Sequence, residues 1–136
     1  MAAENNPRVL VVDDDRELLG LVKMLLTRVG IEVITADTAG VGAQILRQTP
    51  LPHLLILDMM LPDVSGLELL RQLRSKEVFD NLPVIILSAL ADPSEIRKGL
   101  DAGADRYVTK PYVAHNLTRV VQELLRTGRQ REQKQP

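Results

Sequence analysis

The chain has 136 residues, 17 of them basic and 18 acidic, so its net charge of −1 implies no general attraction to nucleic acid or to anionic membranes. This length suits one domain with its own core, and the absence of cysteine excludes disulfides and thiolate metal sites. No apolar run approaches the ~20 residues that span a bilayer, and residues 1–7 contain no signal-peptide core, so we expect a cytoplasmic protein with a flexible N-terminus and no membrane partner.

The strand predictions rest on continuous apolar runs. Runs of four or five residues are typical of parallel strands buried on both faces, and they occur at 8–12, 54–57 and 84–87. Two further strands are predicted at 31–35 and at 107–109. Each predicted strand is followed by a segment with helical periodicity, which is the pattern of βα units.

Five helices are predicted between and after these strands. The first stops at Gly30, and the second, which is weaker, covers about 37–48. A capping box from Ser65 to Glu68 begins the third, and Asp92 begins the fourth. The apolar positions expected to face the core are Leu18, Leu21, Val22, Leu25, Val29, Leu67, Leu70, Leu73, Leu117, Val120, Val121 and Leu124.

Five βα units in this length predict an α/β fold. We expect a doubly wound parallel sheet with right-handed crossovers and helices on both faces. The domain is predicted to cover residues 8–127. Residues 128–136 contain no apolar side chain, and we expect them to be disordered or to be the stub of a linker.

Polar residues follow four of the predicted strands. Residues 13–15 are all aspartate and follow the first strand, Asp58 follows the third, Ser88 the fourth and Lys110 the fifth. In an open parallel sheet the ligand crevice lies outside the carboxyl ends of the strands. The sequence therefore predicts a site of carboxylates, a hydroxyl and an ammonium at one edge of the sheet.

The chemistry of this predicted site suits a phosphoryl group and a divalent cation. The carboxylates of Asp13, Asp14 and Asp58 cannot all stay ionised at close range unless a cation joins them, and oxygen-only ligands favour Mg²⁺ or Mn²⁺. Lys110 and the Ser88 hydroxyl would face an incoming phosphoryl group. Asp58 stands alone after a central strand, so it is our candidate nucleophile for an acyl phosphate.

Four short stretches stand out: VVDDD at 11–15, LDMMLPDVSG at 57–66, LSA at 87–89 and AGADRYVTKP at 102–111. Each stretch alone is weak, but all four in this order and at these separations are highly specific. Through them the chain resembles, over residues 8–127, the receiver domain of bacterial two-component response regulators. The resemblance implies the flavodoxin-like form of the α/β fold, in which a five-stranded parallel sheet with the order 2-1-3-4-5 is flanked by five helices. It also implies phosphorelay signalling, with phosphate received from a sensor histidine kinase or a histidine phosphotransfer protein.

The resemblance also implies a role for each matching metal or phosphate residue. Asp58 would be the phosphoacceptor, and Lys110 would pair with its phosphoryl group. Asp14, Asp58 and the backbone carbonyl of Met60 would bind Mg²⁺ (or Mn²⁺) directly, and Asp13 mainly through water.

Two further expectations concern the response to phosphorylation. Ser88 and Tyr107 would form a switch pair, in which the Ser88 hydroxyl turns toward the phosphate and the Tyr107 ring moves inward behind it. The surface formed by the fourth helix, the fifth strand and the fifth helix would change in response. The Lys110–Pro111 bond is expected to be cis, as is usual in this family.

Two alternatives compete with this interpretation. Asp13 and Asp15 after a first strand also begin haloacid-dehalogenase-type phosphatases, but the expected serine or threonine is replaced by Arg16-Glu17 and the chain offers no cap domain. A degenerate receiver would act as a constitutive interaction module, but such receivers usually lack one of the polar residues present here. We therefore expect that the protein is not an enzyme, and that its only activities are self-phosphorylation from small phosphodonors and self-dephosphorylation.

The output is left open by the sequence. No DNA-binding, cyclic-dinucleotide or methylesterase segment follows the last helix, so we expect either a single-domain regulator that acts by protein contact or a receiver cut from a longer chain. The output domain or protein partner is unknown, and direct nucleic-acid contact is not expected. Arg106 does not match the charges of receivers joined to winged-helix domains, which argues against their usual dimer and leaves another phosphorylation-dependent dimer open. Tyr112 and Val113 are candidates either for partner contact or for capping the core.

Overall fold

The fold is described by a computed structural model for residues 6–110 and 113–129. Strands and helices alternate along the described chain, with a short 3₁₀ turn at Glu77–Phe79 before the fourth strand. The strands are β1 (Arg8–Val12), β2 (Glu32–Ala36), β3 (Leu54–Leu57), β4 (Val84–Ser88) and β5 (Arg106–Thr109). The helices are α1 (Arg16–Thr27), α2 (Ala39–Leu46), α3 (Gly66–Arg74), α4 (Pro93–Asp101) and α5 (Val113–Thr127). Among the described residues, no helix is both long and apolar enough to cross a membrane.

The five strands form one parallel sheet with the order β2-β1-β3-β4-β5, which confirms the predicted doubly wound fold. Because β1 pairs with both β2 and β3, the direction of the strand order reverses beside it. The last residues of the two central strands, Val12 and Leu57, lie opposite each other in the register. Asp13 and Asp58, which come next in the chain, therefore leave the sheet side by side.

The sheet is covered on both faces, as its continuous apolar strands require. Alternate strand residues face opposite sides, so the core has two halves. The half covered by α2, α3 and α4 contains Leu10, Val12, Leu55, Leu57, Val84, Ile86, Leu46, Leu69, Leu70 and Leu73. The half covered by α1 and α5 contains Val9, Val11, Leu54, Ile56, Ile85, Leu87, Val22, Leu26, Leu117, Val120, Val121 and Leu124.

Two helix predictions needed correction. Because α1 ends at Thr27, Val29 lies beyond it and is 42% exposed, while Leu26 takes the buried position. In α3 the buried leucines include Leu69, whereas Leu67 is only partly buried. The α5 prediction is confirmed, because all four of its predicted core residues are buried.

Candidate functional site

The site is built on the ends of β1, β3, β4 and β5. Asp13 and Asp58 continue their strands by one hydrogen bond each, from the Asp13 amide to Ala36 O (3.0 Å) and from the Asp58 amide to Val12 O (3.0 Å). Both carboxylates are buried, at 1% and 3% exposure, because neighbouring strand ends enclose them. Ser88, the last residue of β4, is fully buried.

Three carboxylates meet at this edge, as the sequence predicted. Oxygens of Asp13, Asp14 and Asp58 all lie within 4.8 Å of one another, and Asp14 is the exposed member of the group. Asp13 Oδ2 is buried and has no hydrogen bond within the described residues. Lys110 Nζ lies 3.2 Å from this oxygen, but one ammonium does not neutralise three carboxylates, so a further cation is needed to offset the remaining negative charge. The donor set therefore fits a hard divalent cation such as Mg²⁺.

Lys110 joins the two buried carboxylates. Its Nζ lies 3.2 Å from Asp13 Oδ2 and 3.3 Å from Asp58 Oδ2. Burial acts to lower the pKa of Lys110, but attraction to Asp58 and Asp13 outweighs it, so the pKa is raised overall. Lys110 is therefore a permanent positive charge beside both carboxylates at neutral pH.

Backbone amides orient the same two carboxylates. Asp13 Oδ1 accepts a hydrogen bond from the Asp15 amide (2.9 Å), and Asp58 Oδ1 accepts one from the Met60 amide (3.2 Å). Burial raises the pKa of Asp13, and the nearby Asp58 carboxylate adds to that rise against the lowering effects of the Asp15 amide and Lys110. The remaining oxygen of Asp58, Oδ2, faces Lys110.

Asp15 has a structural task. Its Oδ1 accepts hydrogen bonds from the amides of Glu17 (3.1 Å) and Leu18 (3.2 Å), so it is the N-cap of α1. This capping explains an aspartate two residues after Asp13 without an acid/base role. It removes the main support for the phosphatase alternative.

Gly66 is a residue whose importance the sequence analysis missed. A Cβ at this position would lie 1.9 Å from the carbonyl oxygen of Asp58, and the Gly66 amide donates to Met59 O at 2.9 Å. The first turn of α3 thus packs directly on the backbone of the candidate nucleophile, where only glycine fits. Gly66 lies in the 57–66 stretch, but the sequence alone indicates only that it is part of the capping box at the start of α3.

Ser88 and Tyr107 contact the backbone of one loop residue. Ser88 Oγ accepts a hydrogen bond from the Leu90 amide (3.1 Å), and the Tyr107 hydroxyl donates to Leu90 O (2.6 Å). Burial raises the pKa of Tyr107 and, with the carboxylates of Glu95, Asp58 and Asp92, outweighs the lowering effect of the Ser88 side chain, so the hydroxyl remains a donor at neutral pH. The proposed switch pair is therefore joined through the β4–α4 loop.

Some predicted features lie outside the described residues. The Lys110–Pro111 peptide bond and Tyr112 belong to this group, as does the side chain of Val113. The structure describes Met60, whose side chain is 59% exposed beside the site.

A sequence model described as "Response regulator receiver domain" matches residues 9–122. The chain is 43% identical to the phosphate regulon transcriptional regulatory protein PhoB of Rhizobium meliloti over 123 residues, which cover 90% of this chain and 54% of PhoB. It is 44% identical to the transcriptional regulatory protein KdpE of Mycobacterium tuberculosis over 104 residues, which cover 76% of this chain and 44% of KdpE. The chain thus spans about half the length of the curated relatives it matches.

Solved structures are similar over almost the whole fold. The receiver domain of the Francisella response regulator 1452 superposes with a TM-score of 0.81 and 35% identity, covering 90% of this chain and 98% of that one. A BeF3-activated DrrB receiver domain superposes with a TM-score of 0.76 and 36% identity, covering 89% of this chain and 98% of that one.

The match of the family model over residues 9–122 overturns the phosphatase alternative. The chain therefore belongs to the response regulator receiver domain family.

Proposed function

We propose that Asp58 is the phosphoacceptor of this receiver domain. A carboxylate oxygen of Asp58 attacks the phosphorus of a phosphohistidine on a sensor kinase or phosphotransfer protein; the new P–O bond forms as the P–N bond breaks and the imidazole leaves. The observation that carries this proposal is the position of Asp58, whose buried carboxylate lies 3.3 Å from Lys110 and within the cluster of three carboxylates. Lys110 then balances the added charge of the phosphoryl group.

A divalent cation, Mg²⁺ or Mn²⁺, completes the proposed site. Asp13, Asp14 and Asp58 would hold it, together with the backbone carbonyl of Met60. The fit is supported by the charge of the site, because three carboxylates lie together within the described chain and the Lys110 ammonium neutralises only one of their charges. When bound, the cation supplies the positive charge that lets three carboxylates and an incoming phosphoryl group come together.

Phosphorylation is proposed to act on the β4–α4 loop. When the Ser88 hydroxyl turns toward the phosphoryl oxygens, it gives up the bond that it accepts from the Leu90 amide. Tyr107 donates to the carbonyl of the same residue, and its ring lies against Gly99 of α4. A charge change at Asp58 thereby reaches the α4 surface, where an output domain or partner protein would detect it.

We propose that the domain has no catalytic activity on other molecules. It would take phosphate from small donors and lose it by self-hydrolysis. Met60 and Leu90 are the residues two positions after Asp58 and Ser88, and neither apolar side chain can orient an attacking water. The phosphorylated state should therefore be long-lived.

Intact mass after incubation with acetyl phosphate and Mg²⁺ tests the proposal. We expect a gain of about 80 Da, one phosphoryl group, which requires the metal and is absent from Asp58→Asn; slow decay of the adduct would report its lifetime. Asp92→Asn, which alters an aspartate at the start of α4, is the matched control and should retain the adduct. If the wild type gains no mass and binds no beryllofluoride, the domain is a degenerate receiver.

A further inference from the structure

The loop that follows the proposed phosphoacceptor is hydrogen-bonded to α2, a helix that lies well before it in the chain. In this β3–α3 loop (residues 58–65), the Asp63 carboxylate uses one oxygen for each of two backbone amides at the start of α2. Oδ1 accepts from Ala39 (3.0 Å) and Oδ2 accepts from Gly40 (2.9 Å). These hydrogen bonds hold the pKa of Asp63 below its usual value, so it is ionised at neutral pH. A carboxylate at a helix N-terminus is also favoured by the helix dipole.

Helix α2 is a firm support for this contact, because it packs on β1. Ala39 is 3% exposed, and a Cβ on Gly42 would lie 2.9 Å from a methyl group of Val12. Val12 immediately precedes Asp13. Through α2, Asp63 therefore fixes the position of the loop relative to β1, the strand that Asp13 and Asp14 directly follow.

The other end of the loop is tied to Asp58. The Met60 amide donates to Asp58 Oδ1, and Gly66 packs on the Asp58 backbone. Met60 thus lies between two anchors, Asp58 on one side and the Asp63–α2 contact on the other. Small changes at either anchor would move its backbone carbonyl relative to Asp13 and Asp14.

We propose that Asp63 is a positioning residue for the metal site, because its contact with α2 keeps the Met60 backbone in register with the carboxylates at the end of β1. This inference rests on the proposed function, in which the Met60 carbonyl is a metal ligand. Asp63 would not touch the cation. It acts in the way that hydrogen-bonding partners behind metal ligands do, by fixing where the ligand lies.

The test compares two caps of the same helix turn. Thr38 Oγ1 accepts from the Val41 amide (3.0 Å), so Thr38→Ala also weakens the start of α2 but leaves the loop contact intact. We expect Asp63→Ala to weaken Mg²⁺ binding by roughly tenfold in calorimetric titration of the unphosphorylated chain, whereas Thr38→Ala matches the wild type. Hydrogen exchange should quicken at the Met60 amide only in Asp63→Ala.

Asp63→Asn keeps one acceptor oxygen, so its Mg²⁺ affinity should lie between those of Asp63→Ala and the wild type. This variant tests the inference if Asp63→Ala does not fold. Equal Mg²⁺ affinity for Asp63→Ala and the wild type, or an equal loss in Thr38→Ala, would overturn the inference. Failure of the proposed function looks different, because then the wild type itself would bind no Mg²⁺ and form no adduct at Asp58.

Discussion

At the scale of single residues, Asp13 combines burial with a negative charge. Its carboxylate is 1% exposed, and burial together with the Asp58 charge raises its pKa although Lys110 lies 3.2 Å away. A raised carboxylate pKa means that the ionised group destabilises the folded chain at neutral pH. The residue suited to holding a cation therefore carries a cost when no cation is bound.

We predict that Asp13→Asn raises the free energy of unfolding by about 1 kcal/mol at neutral pH without divalent cations. The amide keeps an oxygen for the Asp15 amide and removes the buried charge. Urea denaturation measures the difference, with Asp14→Asn as a control that should change less because Asp14 is exposed. Added Mg²⁺ should stabilise the wild type more than the variant.

The pH dependence of this difference follows from the direction of the Asp13 pKa. Because the folded-state pKa lies above the usual value, the folded chain binds more protons than the unfolded chain between those two values. The cost of ionised Asp13 is therefore complete above the folded-state pKa and disappears as the pH falls toward 3.8. An advantage of Asp13→Asn that grew as the pH fell would contradict this account.

At the scale of helices and strands, the ends of elements were harder to predict than their existence. Ser65 Oγ accepts from the Glu68 amide as the capping box requires, but Glu68 Oε2 accepts from the Gln72 side chain. Asp92 precedes α4 as predicted, yet its side chain makes no capping hydrogen bond. Local sequence indicates where a helix begins, whereas neighbouring side chains decide which oxygens cap it.

Two glycines in helices give a matched prediction at this scale. A Cβ on Gly99 would lie 2.5 Å from Ile86 Cδ1 and 3.3 Å from the Tyr107 ring, whereas a Cβ on Gly20 would have no described atom within 4 Å apart from its chain neighbours and its own helix backbone. Overpacking outweighs the gain in helix propensity at Gly99, so Gly99→Ala should lower the free energy of unfolding by about 1 kcal/mol. Gly20→Ala should raise it by about 0.5 kcal/mol. Thermal and urea unfolding would show whether the two signs differ.

At the scale of the whole molecule, a buried ionic network lies at the amino-terminal ends of β4 and β5, on the opposite side of the sheet from the site. The Asp105 side chain, 7% exposed, accepts from the Val84 amide (2.8 Å), Arg129 Nε (2.9 Å) and an Arg74 guanidinium nitrogen (3.4 Å). Arg74 also donates to three carbonyl oxygens around it, those of Gly103, Phe79 and Leu82. The network joins the end of α3, the starts of β4 and β5, and the residue two positions beyond α5.

We predict that Asp105→Ala lowers the free energy of unfolding by about 3 kcal/mol, because it leaves two guanidinium groups without their shared buried carboxylate. Arg129→Ala should cost only about 1 kcal/mol, since Arg74 still pairs with Asp105. Arg126→Ala, at an exposed position near the end of α5, is the control. Equal losses for Asp105→Ala and Arg129→Ala in chemical unfolding would contradict a shared network.

Much of the fold and site could be predicted because both depend on strand positions. Buried parallel strands are recognisable as apolar runs, and their carboxyl ends share one edge, so Asp13, Asp58, Ser88 and Lys110 could be placed together. Contacts between segments far apart in the chain were not predictable. The Asp63 cap of α2 joins residues 24 positions apart, and no local pattern marks it.

The sequence by itself determined the alternation of strands and helices, the family, and the identity of the polar residues at the sheet edge. Hydrophobic periodicity and residue order suffice for these, because they are properties of neighbouring positions in the chain. Only the tertiary structure decided which oxygens of Asp13 and Asp58 meet Lys110, that Gly66 must accommodate the Asp58 carbonyl, and that Arg129 pairs with Asp105. These depend on distances between elements, which are set by how the helices pack on the sheet.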